Sequence, residues 1–272
     1  MAGRHTERVW FDCISFTTDY GLDDGFVAAC HGVMAKIAPH VRVLDVTHTV
    51  TPGDVRKAAT TLAQTVAYLP PAVHLAVVDP GVGTARRAIA VVVDDGLLVG
   101  PDNGVLLPAA ETLGGVREAY ELSTPEYRLA TVSSTFHGRD IFAPAAAHLA
   151  TGVAPSKLGQ ALDIRALKRL PSLEVVVAQG KLVSEVVATD RFGNVQLAAR
   201  PADLTKAGFH DGDRLAIRAG TIEKIAYLGD TFADVPDGDP VVITDSAGHV
   251  AIAVNGGSAT KLLGDPKKIT IS

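Results

Sequence analysis

The run Val73-His-Leu-Ala-Val-Val78 is the most constraining stretch of the chain, because a β-branched apolar segment this short fills a buried parallel strand. It stops at Asp79-Pro80-Gly81-Val82-Gly83-Thr84-Ala85-Arg86. Pro80 biases Asp79 toward an extended backbone, and Gly81 and Gly83 allow a sharp turn. A carboxylate is thereby delivered off the carboxyl end of a strand, where open α/β sheets hold ligands. Arg86 follows seven residues later, within folding-back distance of Asp79. An isolated Asp-Pro-Gly would be an ordinary strand-ending turn, but a second unusual stretch, Ser134-Thr-Phe-His-Gly-Arg-Asp140, argues for chemistry.

Around this strand the chain alternates. Cys13 to Thr18 reads as a first strand and Val41 to Val46 as a second. Between them Phe26, Val27, Cys30, Val33, Met34 and Ile37 have helical spacing, with Asp23 and Asp24 at the expected N-terminus. Thr51-Pro-Gly-Asp54 caps a helix running to Leu69, which Pro70-Pro71 ends. Ala88 to Val93 and Leu97 to Gly100 form a hairpin across Asp94-Asp-Gly96. Pro101-Asp-Asn-Gly104 caps a short helix over Val105 to Leu113, and an alanine-rich helix covers Asp140 to Ala150. Such βα units predict a mainly parallel sheet with helices on both faces.

Beyond the connector Leu158 to Pro171 the texture changes to short strands separated by turn clusters, at Val175 to Ala178, Lys181 to Thr189, Arg214 to Ile217, Val241 to Thr244 and Val250 to Val254. That spacing predicts a small antiparallel β-barrel or sandwich. The expected organisation is an N-terminal α/β catalytic domain, 1–170, and a smaller C-terminal β-barrel domain, 171–272.

A net charge of −5 opposes a nucleic-acid footprint, which needs a basic patch. No apolar run approaches the ~20 residues needed to span a bilayer, and Met1 to Arg8 is polar and mixed in charge, unlike a secretion signal. Cys13 and Cys30 lack paired spacing and read as reduced core thiols. These features suit a cytoplasmic enzyme or binding protein with neither a nucleic-acid nor a membrane partner.

Four clusters could carry chemistry: Asp19 with Asp23 and Asp24, Asp79 with Arg86, His137 with Arg139 and Asp140, and Asp190 with Asn194. Each also has a structural reading. Asp19 suits an Asx-turn, Asp24 a helix cap, His137 a satisfied core histidine, and Asp190 with Asn194 a hairpin. Taken together, Thr18-Asp-Tyr-Gly21 with Asp24, Val78-Asp-Pro-Gly-Val-Gly-Thr84 with Arg86, Thr135-Phe-His-Gly-Arg-Asp140 and Phe192-Gly-Asn194 resemble, in order and spacing, the S-adenosyl-L-methionine hydroxide adenosyltransferase family, relatives of the nucleophilic fluorinating and chlorinating enzymes.

The resemblance implies displacement of methionine from C5′ of S-adenosyl-L-methionine by water, giving adenosine and L-methionine. S-adenosyl-L-methionine is then substrate, and no cofactor or metal is called for. It also implies a homotrimer with active sites at subunit interfaces. Asp79, Arg86 and His137 fall on the family's catalytic positions. Asp19 falls on the ribose contact, Asp24 and Asp190 on the ammonium or sulfonium side, Phe192 and Asn194 on the adenine pocket, Ser246 on a methionine contact, and Asn255 and Gly256 on an adenine contact. The halogenating relatives carry a tyrosine at Asp79, a tyrosine–serine pair at His137-Gly138 and a tryptophan at Gly53. A carboxylate repels halide, so this set suits water as nucleophile. Either His137 or Asp79 could take the water's proton while Arg86 holds Asp79 ionised. Two alternatives are a halogenase on the same fold and a divalent-metal phosphoesterase with Asp19, Asp24, Asp79 and His137 as ligands.

Overall fold

The computed structural model describes residues 10–272, so Met1 to Arg8 lie outside the described residues. The chain divides into two compact units, Met1–Leu170 and Pro171–Ser272.

The first unit is a six-stranded sheet in the order β2-β1-β3-β5-β4-β6. The strands are β1 (Cys13–Thr18), β2 (Arg42–Thr47), β3 (Ala72–Val77), β4 (Ala88–Val93), β5 (Gly96–Pro101) and β6 (Glu118–Glu121). The pairs β1–β2, β1–β3 and β3–β5 are parallel, and only β4 runs against its neighbours. Residues on β1 and β3 are almost wholly buried, as expected for strands covered on both faces. Side-chain alternation divides the core. Phe16, Val73, Leu75 and Val77 pack with α1 (Phe26–Ile37) and α4 (Ala143–Ala150), whereas Ala76, Ile89, Val91 and Leu98 pack with α2 (Val55–Val66) and α3 (Leu107–Thr112).

The local signals explain most boundaries. Asp54 caps α2 by accepting from the Lys57 N–H at 2.9 Å. At α1 the flanking residue is Gly25 and no side chain caps the helix, so Asp24 is not a cap. Asn103 does not cap α3 either. Its amide donates to Val78 O at 2.9 Å, tying the turn to the end of β3. The helix expected from Asp140 starts differently, as a π-helical turn over Gly138–Phe142 that runs into α4 at Ala143.

The second unit is a barrel of seven strands: β8 (Lys181–Thr189), β9 (Val195–Leu197), β10 (Arg214–Ala219), β11 (Ile222–Leu228), β12 (Pro240–Thr244), β13 (Val250–Val254) and β14 (Lys268–Ile271). The β14–β8 pairing closes it, and β7 (Val175–Ala178) adds to β8. One pair departs from the expected antiparallel pattern, since β11 and β12 run parallel. Two short helices, α5 (Pro201–Ala207) and α6 (Ala259–Leu263), contribute buried residues to the barrel core. Cys13 and Cys30 are both buried and unpaired. No helix among the described residues is long and apolar enough to cross a membrane.

Candidate active site

Asp79 lies just past the end of β3, and the turn after it returns through Val82 N–H to Asp79 O at 3.2 Å and Thr84 N–H to Gly81 O at 3.2 Å. This brings Arg86 onto the aspartate. Nε donates to Asp79 Oδ1 at 3.1 Å and Nη2 donates to Oδ2, a two-point pairing that fixes both side chains. The pair is shielded, with side chains 6% and 8% exposed for Asp79 and Arg86. The Phe142 ring lies under the guanidinium, 5.1 Å from its carbon.

His137 lies 51 residues beyond Arg86, and a glycine makes its approach possible. Gly83 has φ +77° and its backbone abuts Ser134 O, where a Cβ would stand 2.6 Å from that oxygen. The turn and the 134–137 segment therefore pack backbone against backbone, and Arg86 Nη2 reaches His137 Nδ1 at 3.0 Å. Burial, then the Arg86 charge, lowers the His137 pKa below its ordinary value. A guanidinium can only donate, so Nδ1 is the acceptor and the neutral imidazole carries its proton on Nε2.

Asp79 and His137 line a cavity of about 110 Å³ together with Asp19, Tyr20, Gly53, Thr135 and Gly138, while Arg86 braces both from behind its wall. Asp19 is steadied through one oxygen, Oδ2, which accepts from the Gly53 N–H at 2.8 Å. Tyr20 and Gly138 are in close contact, for a Cβ on Gly138 would fall 1.9 Å from the Tyr20 hydroxyl oxygen. Burial raises the Tyr20 pKa, so the phenol stays protonated. Asp24 is exposed beside Gly25 and does not line this cavity. The roles of Tyr20, Phe142 and the Gly53 amide were not read from the sequence. Their only signal was membership of a motif or a position flanking one.

In the barrel unit, Asp190 organises its own loop. Oδ1 accepts from the Phe192 and Asn194 N–H groups at 2.9 Å each, and Oδ2 accepts from Asn194 Nδ2 at 2.7 Å. Phe192 projects outward, 76% exposed. Because Ile252 pairs with Val195, Asn194 lies toward the end of β13 that leads into Asn255 and Gly256, while Ser246 lies in the turn before β13 begins. The barrel candidates thus form two groups at opposite ends of β13, separated by roughly 15 Å at ~3.4 Å per residue.

An α/β unit with an acid–arginine–histidine chain off the strand ends, followed by a seven-stranded barrel, defines a two-domain enzyme of small-molecule chemistry. The SAM hydroxide adenosyltransferase N-terminal domain matches residues 14–159 and the corresponding C-terminal domain matches residues 184–268. The chain belongs to that family. It is 55% identical over 261 residues to a protein of Salinispora arenicola named (R)-S-adenosyl-L-methionine hydrolase, covering 94% of this chain and 97% of the relative. A fluorinase of Actinoplanes sp. is more distant, at 30% identity over 89% of this chain and 90% of its own. The crystal structure of an uncharacterized conserved protein from Thermotoga maritima superimposes with a TM-score of 0.88 at 39% identity, covering 95% of this chain and 99% of that one.

Proposed function

We propose that this chain is an S-adenosyl-L-methionine hydrolase that forms adenosine and L-methionine. The observation that carries this reading is that Asp79 and His137, joined through Arg86, wall one small cavity with Asp19. Water oxygen bonds to C5′ as the C5′–S bond breaks, sulfur leaves as a neutral thioether, and one proton is released. The leaving group needs no acid, so the protein's task is to orient water and accept its proton.

Asp79 is the proton acceptor in this mechanism. His137 Nδ1 already faces Arg86, so the imidazole offers the cavity an N–H, suited to holding the water oxygen rather than deprotonating it. Arg86 keeps Asp79 oriented through both oxygens, leaving further lone pairs for the water. Asp19, with one oxygen on Gly53, turns the other to the ribose hydroxyls.

The cavity is far smaller than the ~300 Å³ of the smallest usual ligand pockets, so it suits the reacting sugar edge and a water, with the rest of the ligand held elsewhere. We assign that remainder to Asp190, Phe192, Asn194, Ser246, Asn255 and Gly256, with Asp24 on the ammonium side. The separation of the Asn194–Gly256 group from Ser246 suits an extended ligand with adenine at one end and methionine at the other. The assembly proposed is a homotrimer with sites at subunit interfaces, in the cytoplasm, acting on a small molecule without a nucleic-acid partner or cofactor. Support comes from the undersized cavity, the two free thiols and the net negative charge. Mixing two inactive variants, Asp79→Asn and Asn194→Ala, restores partial activity if sites are shared between subunits, and restores none if they are not.

Halide is the poorer nucleophile here. Asp79 would repel it, and Tyr20 occupies the space a serine at Gly138 would need. The metal-phosphoesterase alternative is the poorer one, because the guanidinium of Arg86 paired to both Asp79 oxygens would repel a cation placed there. The relative's name specifies the R configuration at sulfur, and we assign the same epimer to this chain. Incubation of each sulfonium epimer in ¹⁸O-water tests the reading. Labelled adenosine with a preference for the R epimer is expected, and absence of labelled adenosine from both epimers would overturn it.

A further inference from the structure

A second cluster, unused by the chemistry above, lies at the β2 edge of the sheet. Asp45 on β2 faces His31 of α1 and His48 just past β2. Asp45 Oδ1 is 2.9 Å from His31 Nε2 and 3.0 Å from His48 Nε2, and the three ligand atoms all lie within 4.8 Å of one another. His48 is the informative member. Its side chain is 3% exposed, yet Nε2 makes no hydrogen bond despite the nearby carboxylate. A buried, unpartnered imidazole nitrogen is costly, and this one lies beside the same carboxylate oxygen as His31 Nε2.

The other ring nitrogen of His48 is already held. Nδ1 shares a hydrogen bond with Thr18 Oγ1 at 2.9 Å, the outer partner that a metal-bound imidazole ordinarily has. The Phe16 ring walls the cluster, 4.9 Å from the His48 ring and 5.8 Å from that of His31. Asp45 and His31 are 44% and 34% exposed on the other side, leaving an entry path and room for water ligands.

We propose that His31 Nε2, His48 Nε2 and the Asp45 carboxylate bind one divalent transition-metal cation of the zinc class. Two imidazoles and one carboxylate suit such ions, whereas calcium and magnesium favour all-oxygen sites. With metal–ligand bonds of about 2.05 Å, atoms at right angles around an ion lie about 2.9 Å apart, and those at tetrahedral angles about 3.3 Å. The observed 2.9 and 3.0 Å match right angles between the carboxylate oxygen and each imidazole nitrogen, with the remaining positions open to water. The ion is structural. His48 O accepts from the Gly21 N–H at 2.7 Å, and Thr18 joins the same network, so the ion would pin the turn that carries Asp19 against β2 and α1 without touching the reacting atoms.

Chelator-treated full-length protein, titrated with Co²⁺ and followed by visible absorption and equilibrium dialysis, tests the site. A single Co²⁺ per chain is expected, displaced by Zn²⁺ and raising the thermal midpoint. His31→Ala and Asp45→Asn should each weaken uptake by more than the ~10–100-fold that loss of an outer partner costs. Both variants should keep folded spectra and hydrolytic turnover. Lack of stoichiometric uptake by the native chain would overturn the assignment. Uptake undiminished in both variants, or lost in His137→Ala instead, would also overturn it. Because the readout is metal content, it stands or falls apart from the hydrolase reading.

Discussion

Arg86 Nη2 donates to both Asp79 Oδ2 and Nδ1 of His137, the latter at 3.0 Å, so one guanidinium nitrogen joins residues that enter the site from two distant segments. Arg86→Lys tests this geometry. An ammonium is a compact point charge that does not reproduce a planar fork. The charge survives, but the Asp79 orientation and the His137 tautomer do not. Turnover should fall by on the order of 10²-fold with KM little changed. Turnover within a factor of about two of the native value would show that charge alone suffices.

His137 must stay neutral to accept from Arg86. Its pKa is lowered by burial and by the Arg86 charge, so protonation comes below the ordinary value of about 6.5. Activity should therefore be present at neutral pH and lost as pH falls through that depressed value. A kcat profile with its acid limb at or above pH ~6.5 would contradict the assigned tautomer.

The Tyr20–Gly138 contact predicts a coupled pair. Gly138→Ser places a Cβ 1.9 Å from the Tyr20 hydroxyl oxygen, and the Tyr20 ring is held edge-on by Phe26 and Phe136. Overpacking of this kind costs about 1–3 kcal/mol. Tyr20→Leu in the same chain should recover most of the loss, giving a non-additive cycle in chemical denaturation. Additive losses would mean that the two residues do not compete for space.

Asp19→Asn retains an oxygen for the Gly53 amide but removes the charge and one acceptor offered to the ribose. Loss of a charged hydrogen bond worth about 1.5–3 kcal/mol should raise KM roughly 10- to 100-fold while kcat changes less. A fall in kcat alone would move Asp19 from binding into the chemistry.

His74 makes stability pH-dependent. It is buried in the sheet, shares a 2.8 Å hydrogen bond with Ser15, and burial lowers its pKa to about 4. The unfolded histidine, at about 6.5, binds a proton the folded one refuses. The stability is therefore complete above pH ~6.5 and lost as pH falls toward 4. Between pH 7 and 5 this one group should cost on the order of 2 kcal/mol. His74→Gln should remove that share of the slope in urea melts, and an unchanged slope would assign it to other groups.

What could be read along the chain depended on how local its cause was. β1, β3 and the β4–β5 hairpin follow from short apolar β-branched runs, and α2 from the cap at Asp54. The pairing of Asp79 with Arg86 was legible because a seven-residue turn closes it. Elements whose stability comes from neighbours left no such trace. β6 and β11 carry charged residues, and β9 is only three residues long. Each becomes a strand through the partners it pairs with in its sheet.

The same division holds at the site. The β-branched run ending at Asp79 was enough to indicate the carboxylate at a strand end, and the resemblance carried by the order and spacing of the motifs indicated the family and water as the nucleophile. Only the folded chain determined that His137 gives its Nδ1 to Arg86, that Gly83 lies against the Ser134 backbone, that Tyr20 fills the space beside Gly138, and that His31, Asp45 and His48 converge. These contacts join residues well separated along the chain, and no residue carries in its own identity the direction from which its partner will arrive. That direction is set when the two faces of the sheet are buried and the strand order places one segment's end beside another's.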